Sequence, residues 1–212
     1  MNIADIRTDY KLKILDEKLM IANKPLDQFG AWLNEALEAK VNEPTAMVLA
    51  TTSSDGFPSS RVVLLKAFTS DGFGFFTNYS SRKGSEIAAN QKVALLFHWP
   101  ELERQVRIEG IAKKTSSQIS DSYFNSRPFE SRLSAVVSNQ SQEVPDRDYL
   151  EQLWVLQQNE VIGKELVRPD YWGGYIVEPL HIEFWQGRPN RLHDRILYSF
   201  VNKKWRISRL AP

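Results

Sequence analysis

Three chargeable side chains alternate in the segment QGRPNRLHDR, residues 186–195. If this segment is a β-strand, Arg191, His193 and Arg195 project from one face, because successive side chains of a strand point to opposite faces. Like charges that are neighbours on a sheet face repel one another. The pattern is therefore explained either by a solvated strand face, where water screens the charges, or by a bound anion.

A second group of cations lies at a predicted helix start. In SSRKGSEI, Ser80 or Ser81 is the candidate N-cap, and Arg82 and Lys83 fall in the first turn. The helix dipole makes this end partially positive, so acidic residues are favoured there. Two cations suit a bound phosphate, which the free N–H groups and both side chains would hold. A tolerated pair of surface charges is the alternative.

Two further segments carry groups that bind anions. RVVLLK, residues 61–66, predicts a strand buried on both faces with a cation at each end, although charges also mark where any strand reaches water. Tyr123, Arg127 and Ser131 have the spacing of one helix face, and their groups suit a second phosphate. Pro128 interrupts that helix, and an exposed polar face is the simpler explanation.

Amide and aromatic side chains provide candidates for contact with a flat ring. They are Gln105, the segment 139–142 and Trp185. Each of them alone is explained as readily by a structural role. Together with the cations, they indicate two small anion sites with amide and aromatic surface between them. Such sites suit two phosphorylated small molecules side by side, a cofactor and its substrate.

Composition excludes several classes of protein. The chain has 212 residues, 42% of them hydrophobic, and a formal net charge of +1, which argues against a general nucleic-acid binder. Cysteine is absent, which excludes disulfides and thiolate catalysis and fits a cytoplasmic protein. No apolar run reaches transmembrane length, so no membrane contact is expected. His98, His181 and His193 lack metal-site spacing, and no metal is predicted.

The predicted elements form one mainly β domain. Strands are predicted in TAMVLATT, RVVLLKAF, FGFFTN, VALLFHW and RQVRIEGIAKK, and four more in the tail: YWGGYIVEP, HIEFWQG, RLHDRILYSFV and WRISRL. Helices are predicted in PLDQFGAWLNEALEAKV with Asp27 as N-cap, in SSRKGSEIAAN, in 116–137, and in 146–160 with Tyr149, Leu150, Leu153, Trp154 and Leu156 on its inner side. Short strands joined by turns predict a closed or split antiparallel barrel.

Nine segments resemble one family when taken in order. RVVLLK, TNYSSRKGSEI, LERQVRIEG, YFNSRP, SNQS, WGGY, IEFWQG, RLHDR and the terminal RLAP resemble the pyridoxine/pyridoxamine 5′-phosphate oxidase family over residues 7–212. The resemblance implies a single FMN-binding split β-barrel domain over residues 1–212, mainly antiparallel β with peripheral α-helices. Residues 1–24 form an N-terminal segment that can cover the active site.

The resemblance also implies the reaction. A homodimer with FMN at its subunit interface oxidises pyridoxine 5′-phosphate or pyridoxamine 5′-phosphate to pyridoxal 5′-phosphate, in vitamin B6 biosynthesis and salvage. Hydride passes from the C4′ carbon of the substrate to the flavin N5, and O2 reoxidises the flavin and gives H2O2. Arg191 and His193 are the implied catalytic residues: Arg191 stabilises developing charge and His193 orients the ring.

The resemblance further implies the binding residues. Those for FMN are Arg61, Val62, Val63, Leu64, Leu65, Lys66, Phe76, Thr77, Arg82, Lys83 and Gln105, with Gln140, Ser141, Trp185 and Arg195 from the other subunit. Those for the substrate are Arg7, Thr8, Asp9, Tyr10, Lys66, Tyr123, Arg127, Ser131, Arg191, Leu192 and His193. Phe76 stands where the family frequently has tyrosine, so no side-chain hydroxyl is available there.

Two alternatives stay open. The first is a different oxidoreductase on the same barrel, such as a flavin reductase or an enzyme that uses another electron acceptor. The second is a protein without catalytic activity that sequesters FMN or pyridoxal phosphate. Oxygen consumption that depends on pyridoxine 5′-phosphate separates the first alternative from the oxidase, and steady-state turnover excludes the second.

Overall fold

A computed structural model describes residues 9–20 and 24–212. The strands are β1 (Ala46–Thr52), β2 (Pro58–Leu64), β3 (Ala67–Thr69), β4 (Gly72–Asn78), β5 (Lys92–Trp99), β6 (Arg104–Lys114), β7 (Trp172–Gln186), β8 (Asp194–Val201) and β9 (Lys204–Arg209). The helices are α1 (Pro25–Glu38), α2 (Arg82–Ala89), α3 (Ser117–Ser126), α4 (Phe129–Val137) and α5 (Arg147–Glu160). Short 3₁₀ turns cover Glu17–Leu19, Pro100–Leu102 and Pro189–Arg191. Arg7 and Thr8, two predicted substrate residues, lie outside the described residues.

The antiparallel sheet curls until its two ends meet. Its main path is β2-β1-β5-β6-β7-β4-β3, and β8 and β9 extend from β7. Since β2 and β3 are consecutive parts of segment 58–69, one piece of chain forms both ends of this path. At the junction, Leu65 N donates to Thr45 O and Lys66 N donates to Gly74 O, both at 2.8 Å. The predicted antiparallel split barrel with peripheral helices is confirmed.

The long strand β7 replaces two predicted strands. We expected YWGGYIVEP and HIEFWQG to be separate, and that prediction is wrong. Gly110 of β6 pairs with Pro179 and Glu109 pairs with His181, which leaves Leu180 as one extra residue on β7. Such a bulge tolerates a proline inside a strand, because the ladder is already interrupted there. The strand therefore continues, pairing with β4 through its first half and with β8 through its second.

The segment before β8 is a turn and not a strand. The prediction that Arg191, His193 and Arg195 share one strand face is wrong, because β8 begins only at Asp194. Pro189–Arg191 forms a 3₁₀ turn in which Asn190 has φ 57° and Arg191 has φ 61°. These left-handed conformations cannot continue a strand ladder.

Strand β2 is exposed on its outer face. The prediction that residues 61–66 are buried on both faces is wrong, since Val62 is 64% exposed and Leu64 is 37% exposed. Their neighbours point the other way, and Leu65 is buried in the barrel core. The exposed side chains of Val62 and Leu64 line the cavity that is described below.

Helix boundaries were predicted better than helix faces and caps. The break at Pro128 between α3 and α4 is confirmed. Asp27 is not an N-cap, because α1 begins earlier, at Pro25. Proline is favourable at the first position of a helix, since the N–H that it lacks would have no partner within the helix. In α5, Tyr149 and Leu156 are exposed and do not face inward.

Helix α1 contributes Phe29 to the barrel core. The Phe29 ring lies 4.9 Å from Phe73 and from Phe97 and 5.0 Å from Phe68, measured between ring centroids. The residue is fully buried. It therefore joins the helix to strands from both sides of the barrel.

Replacing Phe29 with alanine should lower the free energy of unfolding by about 3–5 kcal/mol, because a large cavity forms in a packed core. Urea denaturation at a fixed protein concentration measures this change. Phe57→Ala is the matched control: Phe57 is 71% exposed, and its loss should change stability by less than about 0.5 kcal/mol. Equal losses in the two variants would contradict this description of the core.

Candidate active site

An open cavity of about 800 Å³ lies between β2, β4, α2 and the α3–α4 pair. Predicted cofactor residues that line it are Arg61, Val62, Val63, Leu64, Lys66, Phe76, Thr77, Arg82, Lys83, Gln140 and Ser141, and predicted substrate residues that line it are Lys66, Tyr123 and Arg127. Residues that we did not predict complete the wall: Ser59, Ser60, Asn78, Ser134, Ala135, Ser138 and Trp172. The structure thus brings most of the predicted positions together.

At one end of the cavity lies a buried ammonium group, that of Lys83. Its Nζ contacts Gln140 Oε1 at 3.0 Å, Thr77 Oγ1 at 3.2 Å and Ser81 Oγ at 3.4 Å. Lys83 is only 8% exposed, and no carboxylate of the described residues forms an ion pair with it. Burial, and then the nearby Arg61 cation, lowers the pKa of Lys83. A buried cation without a counter-ion favours an anionic ligand.

The turn before α2 fixes this group in place. Ser81 is the N-cap of α2, as predicted, and its Oγ accepts from Gly84 N at 3.3 Å. A side chain at Gly84 would begin 2.2 Å from Tyr79 O, so only glycine allows the turn to approach the helix this closely. The first turn of the helix consequently presents its N–H groups beside Lys83.

Arg61 and Arg82 reach the same end of the cavity and share one carboxylate. Arg61 Nη2 lies 3.3 Å from Glu86 Oε2, and Arg82 Nε lies 2.9 Å from Glu86 Oε1. Burial alone would raise the pKa of Glu86, but hydrogen bonds from Thr51, Ser59 and these two arginines lower it to about 2. Glu86 is therefore ionised throughout the physiological range of pH.

The other end of the cavity holds Arg127 against an aromatic stack. Phe76 and Tyr123 stack with centroids 3.9 Å apart, and Arg127 Cζ lies 4.8 Å from the centroid of Trp172. Arg127 Nη1 is buried and has no hydrogen-bond partner. Burial lowers the pKa of Arg127 and raises that of Tyr123. A buried guanidinium nitrogen without a partner is suited to a phosphate oxygen.

Four predicted positions differ from what the resemblance implied. Ser131 is half-buried in the first turn of α4 and lies outside the cavity lining, because Pro128 ends the helix that would have aligned it with Arg127. Leu65 faces the core and not the cavity. Gln140 was assigned to the other subunit together with Ser141, but both line the cavity of this same chain.

A second cluster of predicted residues occupies the outer face of the sheet. Gln105, Trp185 and Arg195 are direct neighbours across β6, β7 and β8. Arg195 forms two hydrogen bonds with Glu183, Nε to Oε1 at 2.8 Å and Nη2 to Oε2 at 3.0 Å. Strand pairing therefore positions an amide, an indole and a held guanidinium in one row.

His193 and Tyr10 pack against this row. The rings of Tyr10, Trp185 and His193 lie within 5.6 Å of one another by their centroids. His193 Nδ1 accepts from Arg188 N at 3.1 Å, so the proton of the neutral imidazole is on Nε2. Burial, and then the Arg191 cation, lowers the pKa of His193. The remaining predicted residues here, Asp9, Arg191 and Leu192, are exposed.

The cavity and this second cluster are separate within one chain. Val62 in the cavity wall and Glu183 beside Arg195 are linked by direct strand partners, from β2 through β1, β5 and β6 to β7. Four strand spacings correspond to about 19 Å along the sheet. Gln105, Trp185, Arg191, His193 and Arg195 are not among the residues that line the cavity.

Within residues 9–20 and 24–212, the part of the chain that the structure describes, no helix has the length and apolar character needed to cross a membrane. Nor do three or more His, Cys, Asp or Glu side chains come together there as a metal site.

Comparisons with known proteins agree over the whole chain. Residues 33–153 match the family profile described as pyridoxamine 5′-phosphate oxidase, and residues 172–212 match the pyridoxine 5′-phosphate oxidase C-terminal dimerisation region. The pyridoxine/pyridoxamine 5′-phosphate oxidase of Cupriavidus metallidurans is 51% identical over 211 residues, covering 99% of each chain. The protein of the same name from Bacteroides thetaiotaomicron is 50% identical over 212 residues, covering 100% of this chain and 99% of the relative.

Solved structures share the architecture. PhzG from Burkholderia lata, in complex with tetrahydrophenazine-1-carboxylic acid, superposes with a TM-score of 0.89 at 31% identity and covers 95% of this chain and 99% of its own. A pyridoxamine 5′-phosphate oxidase-related, FMN binding protein from Nostoc punctiforme has a TM-score of 0.71 at 15% identity, covering 92% and 100% of the two chains.

Fold and cavity together define a split-barrel protein related to pyridoxamine 5′-phosphate oxidase. Relatives at about half identity over the full length make the assignment more specific. The chain belongs to the pyridoxine/pyridoxamine 5′-phosphate oxidase family.

Replacing Lys83 with methionine should weaken the binding of phosphate without lowering the stability of the protein. Methionine keeps the apolar part of the side chain and removes the unpaired buried charge, so the melting temperature without ligand should stay the same or rise. Inorganic phosphate should raise the melting temperature of the unmodified protein, and should raise it clearly less in this variant, in which only the Arg127 end of the cavity is intact. The exposed Lys164→Met is the control and should keep the response to phosphate. An undiminished response in Lys83→Met would contradict the anion site.

Proposed function

We propose that this protein oxidises pyridoxine 5′-phosphate or pyridoxamine 5′-phosphate to pyridoxal 5′-phosphate with FMN as cofactor and O2 as the terminal electron acceptor, which is reduced to H2O2. With the amine, water hydrolyses the imine that oxidation gives, and ammonia is released. One observation carries the proposal: a single cavity holds two cationic groups, the buried ammonium of Lys83 and the half-buried guanidinium of Arg127 with its buried Nη1, and neither forms an ion pair within the described residues. Two cations at separate ends of one cavity fit two phosphorylated molecules side by side.

The end of the cavity at α2 suits the phosphate of FMN. Lys83 supplies a buried ammonium, the first turn of α2 supplies N–H groups, and Arg61 and Arg82 supply further positive charge. From there, the exposed row of β2 with Val62 and Leu64 offers an aliphatic surface for the flavin ring. When bound, FMN supplies the acceptor for the hydride that leaves the C4′ carbon of the substrate.

The end at Arg127 suits the phosphate of the substrate. Arg127 is held by its contact with Trp172, which leaves its unpaired Nη1 free to donate to a phosphate oxygen. The Tyr123 hydroxyl and the Lys66 ammonium also line this part of the cavity. Ser131 lies outside the lining and has no part in this proposal.

A second subunit completes each site. Since the chain matches a dimerisation region over residues 172–212, we infer that two chains form a homodimer. Trp185 and Arg195 of one subunit would then face the cavity of the other and contact the flavin. Gln105, which the resemblance assigned to the same subunit as Arg61, would go with them, because it is the direct strand neighbour of Trp185. The partner would thereby cover the flavin that lies against the exposed row of β2.

Arg191 and His193 act on the substrate ring in this arrangement. His193 is neutral at pH 7 because its pKa is lowered, and its Nε2–H is a donor that can fix the orientation of the ring. The Arg191 guanidinium faces the ring and stabilises charge that develops as the hydride leaves. A guanidinium has five N–H donors and no acceptor, so Arg191 cannot take up a proton and its role is electrostatic.

Anaerobic addition of pyridoxine 5′-phosphate to the purified flavoprotein should bleach the absorbance of oxidised flavin. Admission of air should restore the absorbance and release H2O2. Pyridoxine without its phosphate is the control and should bleach the flavin far more slowly, because the contacts of Arg127 are lost. A flavin spectrum that does not respond to the phosphorylated substrate would contradict the proposed reaction.

Replacing Arg191 with methionine should lower kcat by about 10²–10³-fold, the size typical for the loss of one group that stabilises developing charge. FMN should be retained, because Arg191 addresses the substrate and not the cofactor. Steady-state kinetics and the flavin content of the purified variant measure the two effects. Turnover equal to that of the unmodified enzyme would exclude this role.

A further inference from the structure

Glu86 is a buried carboxylate behind the cations at the α2 end of the cavity. It is 6% exposed and lies outside the cavity lining. Besides the two arginines, it accepts a hydrogen bond from Ser59 Oγ at 2.7 Å and another from the Thr51 hydroxyl. Thr51 is on β1 and Ser59 on β2, so this one carboxylate joins α2 to two strands of the barrel.

The contacts of Glu86 restrict both arginines that reach the cavity. Arg82 lies one helical turn before Glu86, and its Nε is held there. Arg61 comes from β2, and its guanidinium is held by Glu86 together with Ser59 Oγ, which lies 2.7 Å from Nη2. Since Glu86 does not line the cavity itself, it can act on a ligand only through these cations.

The charges at this end of the cavity match a phosphate monoester. Arg61, Arg82 and Lys83 are cations and Glu86 is an anion, which leaves a surplus of two positive charges. A phosphate monoester carries about −1.5 to −2 at pH 7. With Glu86 ionised, the occupied site is close to neutral, and its two arginines are fixed in orientation before the ligand arrives.

We propose that Glu86 is a positioning residue for the phosphate of FMN, which holds Arg61 and Arg82 in the orientation that this phosphate requires. The inference rests on the proposed function, because it takes FMN as the ligand. Positioning differs from a purely structural role in one measurable way. Misplaced arginines weaken the binding of a flavin with a phosphate and leave a flavin without one unaffected, whereas a loosened fold weakens both.

The test is a titration of the full-length protein, freed of flavin, with FMN and with riboflavin, which has the same ring and no phosphate. Quenching of flavin fluorescence gives both dissociation constants, and their ratio measures the preference for the phosphate. In Glu86→Gln this ratio should fall at least about tenfold, the size expected when charge-assisted hydrogen bonds are lost. A smaller fall overturns the inference, including the case in which both affinities weaken equally.

Two further variants make the test decisive. Glu86→Asp keeps the charge but is one methylene shorter, so its preference for FMN over riboflavin should also fall at least about tenfold. This variant replaces Glu86→Gln in the test if Glu86→Gln fails to fold. Glu151→Gln is the matched control, because Glu151 pairs with Arg147 at 2.8 Å with the same i,i+4 spacing on exposed α5. Its ratio should not change. If the unmodified protein binds FMN no better than riboflavin, the proposed phosphate site itself is wrong, whatever Glu86 does.

Discussion

The pairing of β7 is the constraint on which the rest of this structure depends. Trp172 begins the strand beside β4 and the cavity, and Trp185 stands near its other end beside β8. At about 3.3 Å per residue, the two indoles are about 40 Å apart along the strand. One chain therefore cannot place both around a single ligand. We propose that the cavity beside β2 and the second cluster on β6–β8 are complementary halves of a site that two copies complete.

Charge inside the cavity is arranged for ligands more than for stability. Lys83 and Arg127 are both desolvated, and burial lowers the pKa of each. Burying cations without counter-ions destabilises a fold unless a ligand compensates them. By contrast, Arg61, Arg82 and Arg195 are held by carboxylates, Glu86 and Glu183. The site thus combines cations that have no counter-ion within the chain with cations that carboxylates hold in a fixed orientation before a ligand binds.

Most residues that line the cavity were predicted from the sequence, because each candidate phosphate-binding segment is a short continuous stretch of the chain. Ser81, Arg82 and Lys83 follow from a helix cap, and Tyr123 with Arg127 from helical spacing. Glu86 was missed although its i,i+4 spacing from Arg82 was a local signal. Its contacts with β1 and β2, and those of Trp172 with α3, form only when these elements pack together and leave no mark in the sequence. The prediction at Arg191 was wrong because charged residues that alternate along the sequence are typical of a strand. Here the same alternation spans a left-handed turn after Pro189. The exposed face of β2 was predicted to be buried, because a run of four apolar residues does not show which face of a strand lies outside the core.

Division of each site between two chains is the central claim, and mixed dimers test it directly. Lys83→Met damages the cavity, and Arg191→Met damages the second cluster, so neither homodimer has an intact site. A purified heterodimer of the two variants should contain one intact site and one with both defects, and should recover about half the turnover of the unmodified dimer. A heterodimer no more active than its parents would show that one chain supplies both halves, and the account would be wrong.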